Sequence, residues 1–234
     1  MNILTIDAST DIEIICACSG RKCSDLTRKT ERSHSVTLFE NLDRCLSDIG
    51  LKIGDIDLFG VGTGPGSFTG IRIAVSTARM FSQLTGAPLV DIKSHLIFAS
   101  SAAADRDSNV LVAFDAKKNR VFGALYKVRG PGEIAELVRP GDYTLDLLLD
   151  HAVTGNKTVC IGDGIEKFYG LVAERLVNHE YLKDFVPSGI RACEIAERSF
   201  LENPGLYKKY DRVIPNYARR SDAEVMKDLK KKGG

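Results

Sequence analysis

The chain carries one short pattern twice, once at its start and once near its middle. Four strand-forming residues run into an Asp-Ala pair in Ile3-Leu4-Thr5-Ile6-Asp7-Ala8 and again in Leu111-Val112-Ala113-Phe114-Asp115-Ala116. In each copy two polar residues and an Asx residue follow, and then a second strand-forming run begins. A buried run that turns directly into another is typical of a β-hairpin. The repeated pattern therefore predicts a duplicated fold.

The elements that follow each copy also match in order. The first half predicts strands at 2–7, 12–18, 22–29 and 56–62, helices at 35–49 and 70–84, then a strand at 88–92 and a helix at 94–104. The second half predicts strands at 111–115, 120–128, 134–138 and 158–161 and helices at 143–151, 164–178 and 189–201. Each half contains a βββαβα unit, which favours mixed sheets with helices on their faces. We expect an α/β chain whose two lobes face each other across a cleft: residues 1–104, with 205–234 packed back on them, and residues 105–204.

The net charge of the chain indicates no class of binding partner, because 32 basic side chains balance 31 acidic ones in 234 residues. The exception is 205–234, which holds nine Lys or Arg and four Asp or Glu. Such a tail is either solvated or an arm that contacts nucleic acid. Asp7, Asp11 and Glu13 interrupt the apolar run that a signal peptide needs. No stretch approaches the roughly 20 apolar residues of a membrane helix, so we expect a cytoplasmic protein.

Six cysteines fit a reducing compartment better than a disulfide framework. In the strand predicted at 12–18, the two-residue period places on one face the side chains of Ile12, Ile14, Cys16 and Cys18. This placement favours a role in filling the core. Metal binding by the Cys-x-Cys pair is the alternative, although no second pair or histidine cluster lies nearby in sequence.

A glycine-rich loop, Gly62-Thr63-Gly64-Pro65-Gly66-Ser67-Phe68-Thr69-Gly70, joins a predicted strand to a predicted helix. At such a position unpaired backbone N–H groups and the helix dipole can hold an anion. The loop matches neither the Walker A pattern nor Gly-x-Gly-x-x-Gly, because it has no lysine and its glycine spacing differs. The alternative is a tight turn that lets the helix approach the sheet closely. Spacing alone leaves both interpretations open.

Two carboxylates, Asp7 and Asp115, are predicted at equivalent strand ends that face the cleft. A carboxylate there can hold hydrated Mg²⁺ or act as a base, but capping of the following turn is the favoured role. Arg72 and Arg79 share one face of the helix after the glycine-rich loop. They either pair with acidic groups of a partner or are solvated. His34 is expected to pack or cap the first helix.

The same loop resembles a known family. Gly64-Pro65-Gly66-Ser67-Phe68-Thr69-Gly70-Ile71-Arg72 closely resembles the hallmark of the TsaB (YeaZ) family, bacterial proteins needed for threonylcarbamoyladenosine at position 37 of tRNA. Matching pieces occur in the same order over 6–224: Ile6-Asp7-Ala8-Ser9-Thr10, His34-Ser35, Phe114-Asp115-Ala116, Gly162-Asp163-Gly164, Pro215-Asn216-Tyr217-Ala218-Arg219 and Asp222-Ala223-Glu224. Two places depart from the family pattern. Lys117-Lys118-Asn119 replaces a turn that usually contains arginine, and Ala218 stands where a larger apolar residue is common.

The resemblance implies a two-lobed actin-like fold of the sugar-kinase (ASKHA) and ribonuclease-H type. It also implies a non-catalytic relative of TsaD, the subunit that transfers the threonylcarbamoyl group, with the ATPase TsaE and tRNA joining through the complex. No catalytic residue, cofactor or metal is expected in this subunit. Two features of the sequence agree: Ser9 stands where active relatives have a glycine in the phosphate turn, and no two of the four histidines have the His-x-x-x-His spacing of TsaD.

Family members pair with TsaD through a four-helix bundle, which implies a role here for helices 35–49 and 70–84. The second of these helices is apolar nearly all round, which predicts a second apolar partner. We expect the interface to include Leu38, Leu42, Leu46, Ile71, Val75 and Ala78, with Leu42 and Ala78 pointing outward. A homodimer is expected without TsaD; in a lone protein the two helices would simply cover each other. Other readings are an independent kinase or peptidase that uses the cleft, and a tRNA-binding protein that uses the basic tail.

Overall fold

The first sheet of the protein contains six strands. The computed structural model describes residues 1–30, 34–102, 107–130, 133–153, 155–207 and 210–219. The strands are β1 (Asn2–Asp7), β2 (Ile12–Ser19), β3 (Lys22–Asp25), β4 (Arg28–Lys29), β5 (Leu58–Gly62) and β6 (Leu89–Ile92). They lie in the order β3-β2-β1-β5-β6, with β4 paired to β2. β1 is antiparallel to β2 and parallel to β5, so a hairpin and two crossovers form one mixed sheet.

The second sheet repeats this topology. Its strands are β7 (Asn109–Asp115), β8 (Val121–Gly130), β9 (Glu133–Tyr143), β10 (Thr158–Ile161) and β11 (His179–Tyr181). They lie in the order β9-β8-β7-β10-β11, with β7 antiparallel to β8 and parallel to β10. Equivalent strands thus occupy equivalent places in both sheets, and the predicted duplicated α/β fold is confirmed.

Seven α-helices are described: α1 (His34–Ile49), α2 (Phe68–Thr85), α3 (Ser94–Ala102), α4 (Leu145–Ala152), α5 (Asp163–Lys167), α6 (Tyr169–Arg175) and α7 (Gly189–Glu202). Where the sequence predicted one helix at 164–178, the chain forms α5 and α6 and then β11, which the sequence did not predict. β11 is only three residues, His-Glu-Tyr, at the sheet edge, so it has no apolar period to detect. None of the helices described is long and apolar enough to cross a bilayer.

The helix pair α1 and α2 covers one face of the first sheet. All six residues predicted to form a partner interface are buried there, at 7% exposure or less: Leu38, Leu42, Leu46, Ile71, Val75 and Ala78. The prediction that Leu42 and Ala78 point outward is wrong. Ala78 turns inward because α2 packs on the sheet, on α1 and on 3₁₀ turns at Ile53–Asp55 and Tyr210–Arg212, which together use its wide apolar surface. Leu42 turns inward because α1 packs on β2 and β3.

Two helices are exchanged between the halves. α3 follows the first sheet in sequence but packs on the second, where Phe98 meets Phe114 of β7 edge-on at 4.8 Å between ring centroids. α7 follows the second sheet but packs on the first, where Cys193 Sγ donates to the carbonyl oxygen of Cys16 at 3.5 Å. The expected assignment of 189–201 to the second lobe therefore does not describe the packing. One apolar cluster runs from the first sheet through both helices to the second.

The cysteines depart in part from the prediction. Ile12, Ile14, Cys16 and Cys18 lie in one apolar cluster, as the two-residue period indicated. Cys18, however, forms a disulfide with Cys23, which stands directly opposite it on β3. The expectation that the cysteines stay reduced is wrong for this pair, because strand register brings together two residues whose sequence spacing gave no signal.

His95 is the buried histidine of α3. Its Nε2 donates to the carbonyl oxygen of Phe122 at 2.9 Å, and its ring centroid lies 4.9 Å from that of Phe114. Nδ1 is buried with no hydrogen-bond partner among the described residues. Burial lowers the pKa of His95 to about 4, against a smaller opposing effect of the hydrogen bond to Phe122. The histidine is therefore neutral where the two halves meet.

This burial predicts a pH-dependent stability. The unfolded chain protonates His95 near its ordinary pKa of 6.5, and the folded chain only near 4. The buried, neutral His95 therefore makes its full contribution to the free energy of unfolding above pH 6.5. That contribution, about 3 kcal/mol in total, is lost as the pH falls toward 4. In His95→Gln, which keeps a donor for Phe122, urea unfolding should show a much flatter pH dependence over this range.

The matched control is His151→Gln, because His151 is exposed on α4. It should keep the pH dependence of the parent chain. Identical pH profiles for the parent chain and His95→Gln would contradict the assignment.

Candidate functional site

The cleft between the two sheets is a cavity of about 430 Å³. Equivalent turns from the two halves form it, namely the β1–β2 and β7–β8 turns and the β5–α2 and β10–α5 loops, together with the C-terminal segment. The lining residues are Ser9, Thr10, Asp11, Gly66, Ser67, Phe68, Phe114, Asp115, Ala116, Lys117, Phe122, Asp163, Tyr217, Ala218 and Arg219. Of the predicted motif residues, this wall omits Asp7, Gly64, Pro65, Thr69, Gly70 and Arg72.

The glycine-rich loop packs tightly against the β1–β2 turn. A Cβ at Gly66 would overlap the carbonyl oxygen of Ser9, and one at Gly70 would overlap that of Ala8. Backbone N–H groups of the loop are used within the chain: Ser67 donates to the Ser9 carbonyl at 2.6 Å, and Gly70 donates to Ser67 Oγ at 3.3 Å. Gly64, with φ of 91°, donates to Ser94 Oγ at 2.9 Å. These contacts favour the tight-turn interpretation over an anion cradle.

Asp7 lies beneath the cleft and does not line it. It is 1% exposed, its carboxylate accepts the N–H of Ser9 at 2.7 Å, and it fills the space that a side chain at Gly62 would occupy. The prediction that Asp7 faces the cleft is therefore wrong, because the neighbouring strand has a glycine that lets the carboxylate fold inward. Its contact with Ser9 is the turn-capping role that the sequence favoured.

Asp115 does face the cleft, and it is paired there. Its Oδ1 lies 2.8 Å from Lys167 Nζ and its Oδ2 3.0 Å from Lys117 Nζ, and it also accepts the Lys117 N–H at 2.9 Å. Burial raises its pKa, but these hydrogen bonds outweigh burial and lower the pKa to about 2. Asp115 is thus an ionised carboxylate held by two lysines, which is a poor general base at neutral pH.

The C-terminal segment, defined here as residues 210–219, closes one side of the cleft. Asn216 donates its N–H to the carbonyl oxygen of Thr63 at 2.8 Å in the first lobe. Arg219 donates to Asp142 at 2.8 Å and to the carbonyl oxygen of Ala116 at 3.1 Å in the second. The segment therefore contacts both lobes. Its continuation at 220–234, with most of the predicted basic tail and the Asp222-Ala223-Glu224 piece, lies outside the described residues.

Arg72 holds this segment on the first lobe. Its guanidinium lies 3.8 Å from the centroid of the Phe68 ring, and its Nε donates to Tyr217 Oη at 2.7 Å. The Phe68 and Tyr217 rings are 4.7 Å apart. Two helical turns further along α2, the guanidinium of Arg79 lies over the ring of Tyr210, 6.0 Å from its centroid. The two arginines share a face as predicted, but they contact this chain's own tyrosines, which the sequence could not pair with them.

A second surface of interest lies outside the cleft. Four apolar residues, Phe39 of α1 and Met80, Phe81 and Leu84 of α2, form what we term the helix-pair patch. Phe39 is 55% exposed and Leu84 72%, and the Phe39 ring meets Phe81 edge-on at 6.5 Å. Beside the patch, α1 and the turn after it border a groove of about 650 Å³. Of the residues predicted for the interface, Leu42 and Leu46 line this groove beside Phe39 and Phe81, although both are nearly buried. The strongly exposed side chains of the helix pair are ones that were not predicted.

The comparisons with known proteins agree with this architecture. A family model described as TsaD, tRNA N6-adenosine threonylcarbamoyltransferase, matches residues 27–226. The chain belongs to this family. Among curated relatives, the chain is 26% identical over 123 residues to the tRNA threonylcarbamoyladenosine biosynthesis protein TsaB of Haemophilus influenzae. It is 24% identical over 208 residues to the protein of the same name from Buchnera aphidicola subsp. Schizaphis graminum.

The relatives place the chain in the TsaB (YeaZ) group, as the loop motif indicated. The Haemophilus match spans about half the length of each chain, 52% of both, whereas the Buchnera match spans 86% of this chain and 94% of that protein. A crystal structure from Pseudomonas aeruginosa, described as an uncharacterized protein with similarity to peptidase YEAZ, superposes with a TM-score of 0.79. It covers 93% of this chain and 99% of its own at 20% identity, which shows the fold.

Sequence reasoning missed two participants of the site, Asp142 and Lys167. It named Gly62 within the glycine-rich loop and Tyr217 within the Pro215-Asn216-Tyr217-Ala218-Arg219 piece, but it did not predict their contacts with Asp7 and Arg72. Asp142 and Lys167 act across elements far apart in sequence, so no local spacing marks them.

The close approach at Gly70 predicts a sharp difference between two helical glycines. Gly70→Ala should lower the free energy of unfolding by about 2 kcal/mol or more, because the added methyl group overlaps the Ala8 carbonyl. Gly170→Ala in α6 has open space around the new Cβ and should leave stability equal or slightly higher. Urea unfolding of both variants tests this. Equal losses at the two positions would contradict the close-approach role.

Proposed function

We propose that this chain is a non-catalytic subunit in the formation of threonylcarbamoyladenosine at position 37 of tRNA, and that it acts by pairing with a TsaD-like protein. The names of the curated relatives support the pathway. In this proposal a TsaE-like ATPase and tRNA join through the complex, the subunit carries no catalytic cofactor of its own, and it works in the cytoplasm. A second copy takes the partner's place when the TsaD-like protein is absent.

The observation that carries the pairing is the helix-pair patch. An exposed cluster of large apolar side chains on adjacent helices is costly in water and usually marks an interface. Leu84 and Met80 are four residues apart on α2, so they share a face, and Phe81 connects them to Phe39 on α1. Two helices of a partner laid on this surface would complete a four-helix arrangement.

The contacts within the cleft support the proposal that this subunit is not catalytic. Its central carboxylate, Asp115, is neutralised by Lys117 and Lys167. The N–H groups of Ser67 and Gly70, which an anion at the glycine-rich loop would need as donors, are used within the chain. The described lining includes neither histidine nor cysteine, the commonest general base and a common nucleophile.

A charge placed in the patch should block pairing without unfolding the chain. Leu84→Asp and Phe39→Asp should each weaken binding to the TsaD-like protein of the same cell by ~100-fold or more, because the carboxylate would be buried without a partner. Both side chains are more than half exposed, so the melting temperature should stay within a few degrees. Calorimetric titration of the purified proteins measures the affinity.

Leu201→Asp is the matched control, since Leu201 is 66% exposed on α7, away from the helix pair. It should bind like the parent chain. If Leu84→Asp and Phe39→Asp also bind normally, the interface lies elsewhere on the molecule.

The cleft should tolerate loss of its carboxylate. In a reconstituted tRNA modification assay, Asp115→Asn should stay within several-fold of the parent chain, whereas Leu84→Asp should lose most of the activity and so shows that the assay responds to this subunit. A loss on the order of 10³-fold for a folded Asp115→Asn variant would indicate a central catalytic group and sink the proposal. ATP turnover by the purified chain alone would favour an independent enzyme.

A further inference from the structure

Four of the six cysteines converge on one face of the first sheet. Cys16 and Cys18 are two residues apart on β2, Cys23 stands opposite Cys18 on β3, and Cys193 comes from α7. The sulfur atoms of Cys16, Cys18 and Cys193 all lie within 4.8 Å of one another, and those of Cys16 and Cys18 are 3.9 Å apart. The fourth sulfur, that of Cys23, is bonded to Cys18.

These distances fit a tetrahedral sulfur site. Zinc–sulfur bonds of about 2.3 Å place the four sulfurs of a tetrahedron about 3.8 Å apart. The separation of Cys16 and Cys18 matches this edge. The sulfurs of Cys16, Cys18 and Cys193 are no more than 4.8 Å apart, which exceeds the edge by about 1 Å at most. Sets of four sulfur ligands select zinc over the harder cations.

The fold holds the contributing elements in place without any ion. Gly189 begins α7 where a Cβ would come within 2.6 Å of the Cys16 Cβ, so only glycine permits this approach. The carboxylate of Asp25 accepts the N–H of Gly189 at 2.8 Å and fixes the start of the helix against β3. One turn later Cys193 faces Cys16, and the Thr5 hydroxyl, 3.4 Å from its sulfur, is placed to donate to a thiolate.

We propose that Cys16, Cys18, Cys23 and Cys193, once reduced, bind one Zn²⁺ as a closed four-thiolate site that fastens α7 to the first sheet. A dithiol reductant first transfers two electrons and two protons to the Cys18–Cys23 disulfide and becomes a disulfide itself. The four thiols then release four protons as they bind the ion, with no change in oxidation state. Cys23 is the partly exposed member and forms the entrance. The structure shows the oxidised form of this site.

Anaerobic titration of the full chain with Co²⁺ alone tests the site. After reduction, removal of the reductant and a count of six thiols, one equivalent of Co²⁺ should produce the thiolate charge-transfer and intense ligand-field absorption of tetrahedral sulfur coordination. One equivalent of Zn²⁺ should abolish the signal and raise the melting temperature of the reduced chain. The unreduced chain, with four thiols outside the disulfide, should give neither effect.

Cys193→Ser and Cys23→Ser should each weaken binding by more than the ~100-fold that loss of an outer hydrogen bond costs. Cys23→Ser removes a partly exposed ligand and stays informative if the buried change at Cys193 prevents folding. Cys160→Ser is the control, because Cys160 is a buried free cysteine of the second sheet, and it should bind like the parent chain. The proposal is overturned if the reduced chain gives no tetrahedral signal, or if both ligand variants bind Co²⁺ as the parent does.

Discussion

The structure depends on the exchange of α3 and α7 between its two sheets. Each sheet alone would leave one apolar face uncovered, and each receives on that face a helix from the other half of the sequence. Phe98 and His95 lie against the second sheet, and Cys193 and Ala196 lie in the cluster that begins on the first. Neither half can therefore bury its core by itself, and the two lobes form one cooperative unit although the sequence reads as two copies.

The first-lobe wall of the cleft is tightly packed because its glycines let neighbouring backbone segments approach each other closely. At Gly62, Gly66 and Gly70 the absence of a side chain lets the capped turn at Asp7 and the start of α2 share one layer. That closeness uses the donors that an anion would need. The motif that resembles a phosphate loop in position thus serves close packing in this chain. In the second half, Lys117 of the β7–β8 turn and Lys167 at the end of α5 neutralise Asp115.

Much of the fold could be predicted, because the longer apolar runs show a clear strand or helix period and recur in the same order in both halves. β1, β2, α1 and α2 begin and end within a few residues of prediction. Prediction failed where the cause is tertiary, and β11 is simply too short to show a period. Leu42 turns inward because α1 packs on β2 and β3, and Ala78 because 3₁₀ turns cover α2 from sides that periodicity cannot distinguish. The Cys18–Cys23 disulfide and the partners of Arg72 likewise come from register and contacts between distant segments.

The C-terminal segment also restrains the separation of the two lobes, because it is attached to both. It is attached to the first lobe by the Asn216–Thr63 hydrogen bond and by the contact of the Tyr217 and Phe68 rings. It is attached to the second lobe by the hydrogen bonds of Arg219 to Asp142 and to the carbonyl oxygen of Ala116. Only one residue, Ala218, separates these two attachments. A lobe rotation that widens the cleft by more than that single residue can span must break one of the two attachments, so residues 216–219 limit how far the cleft can open.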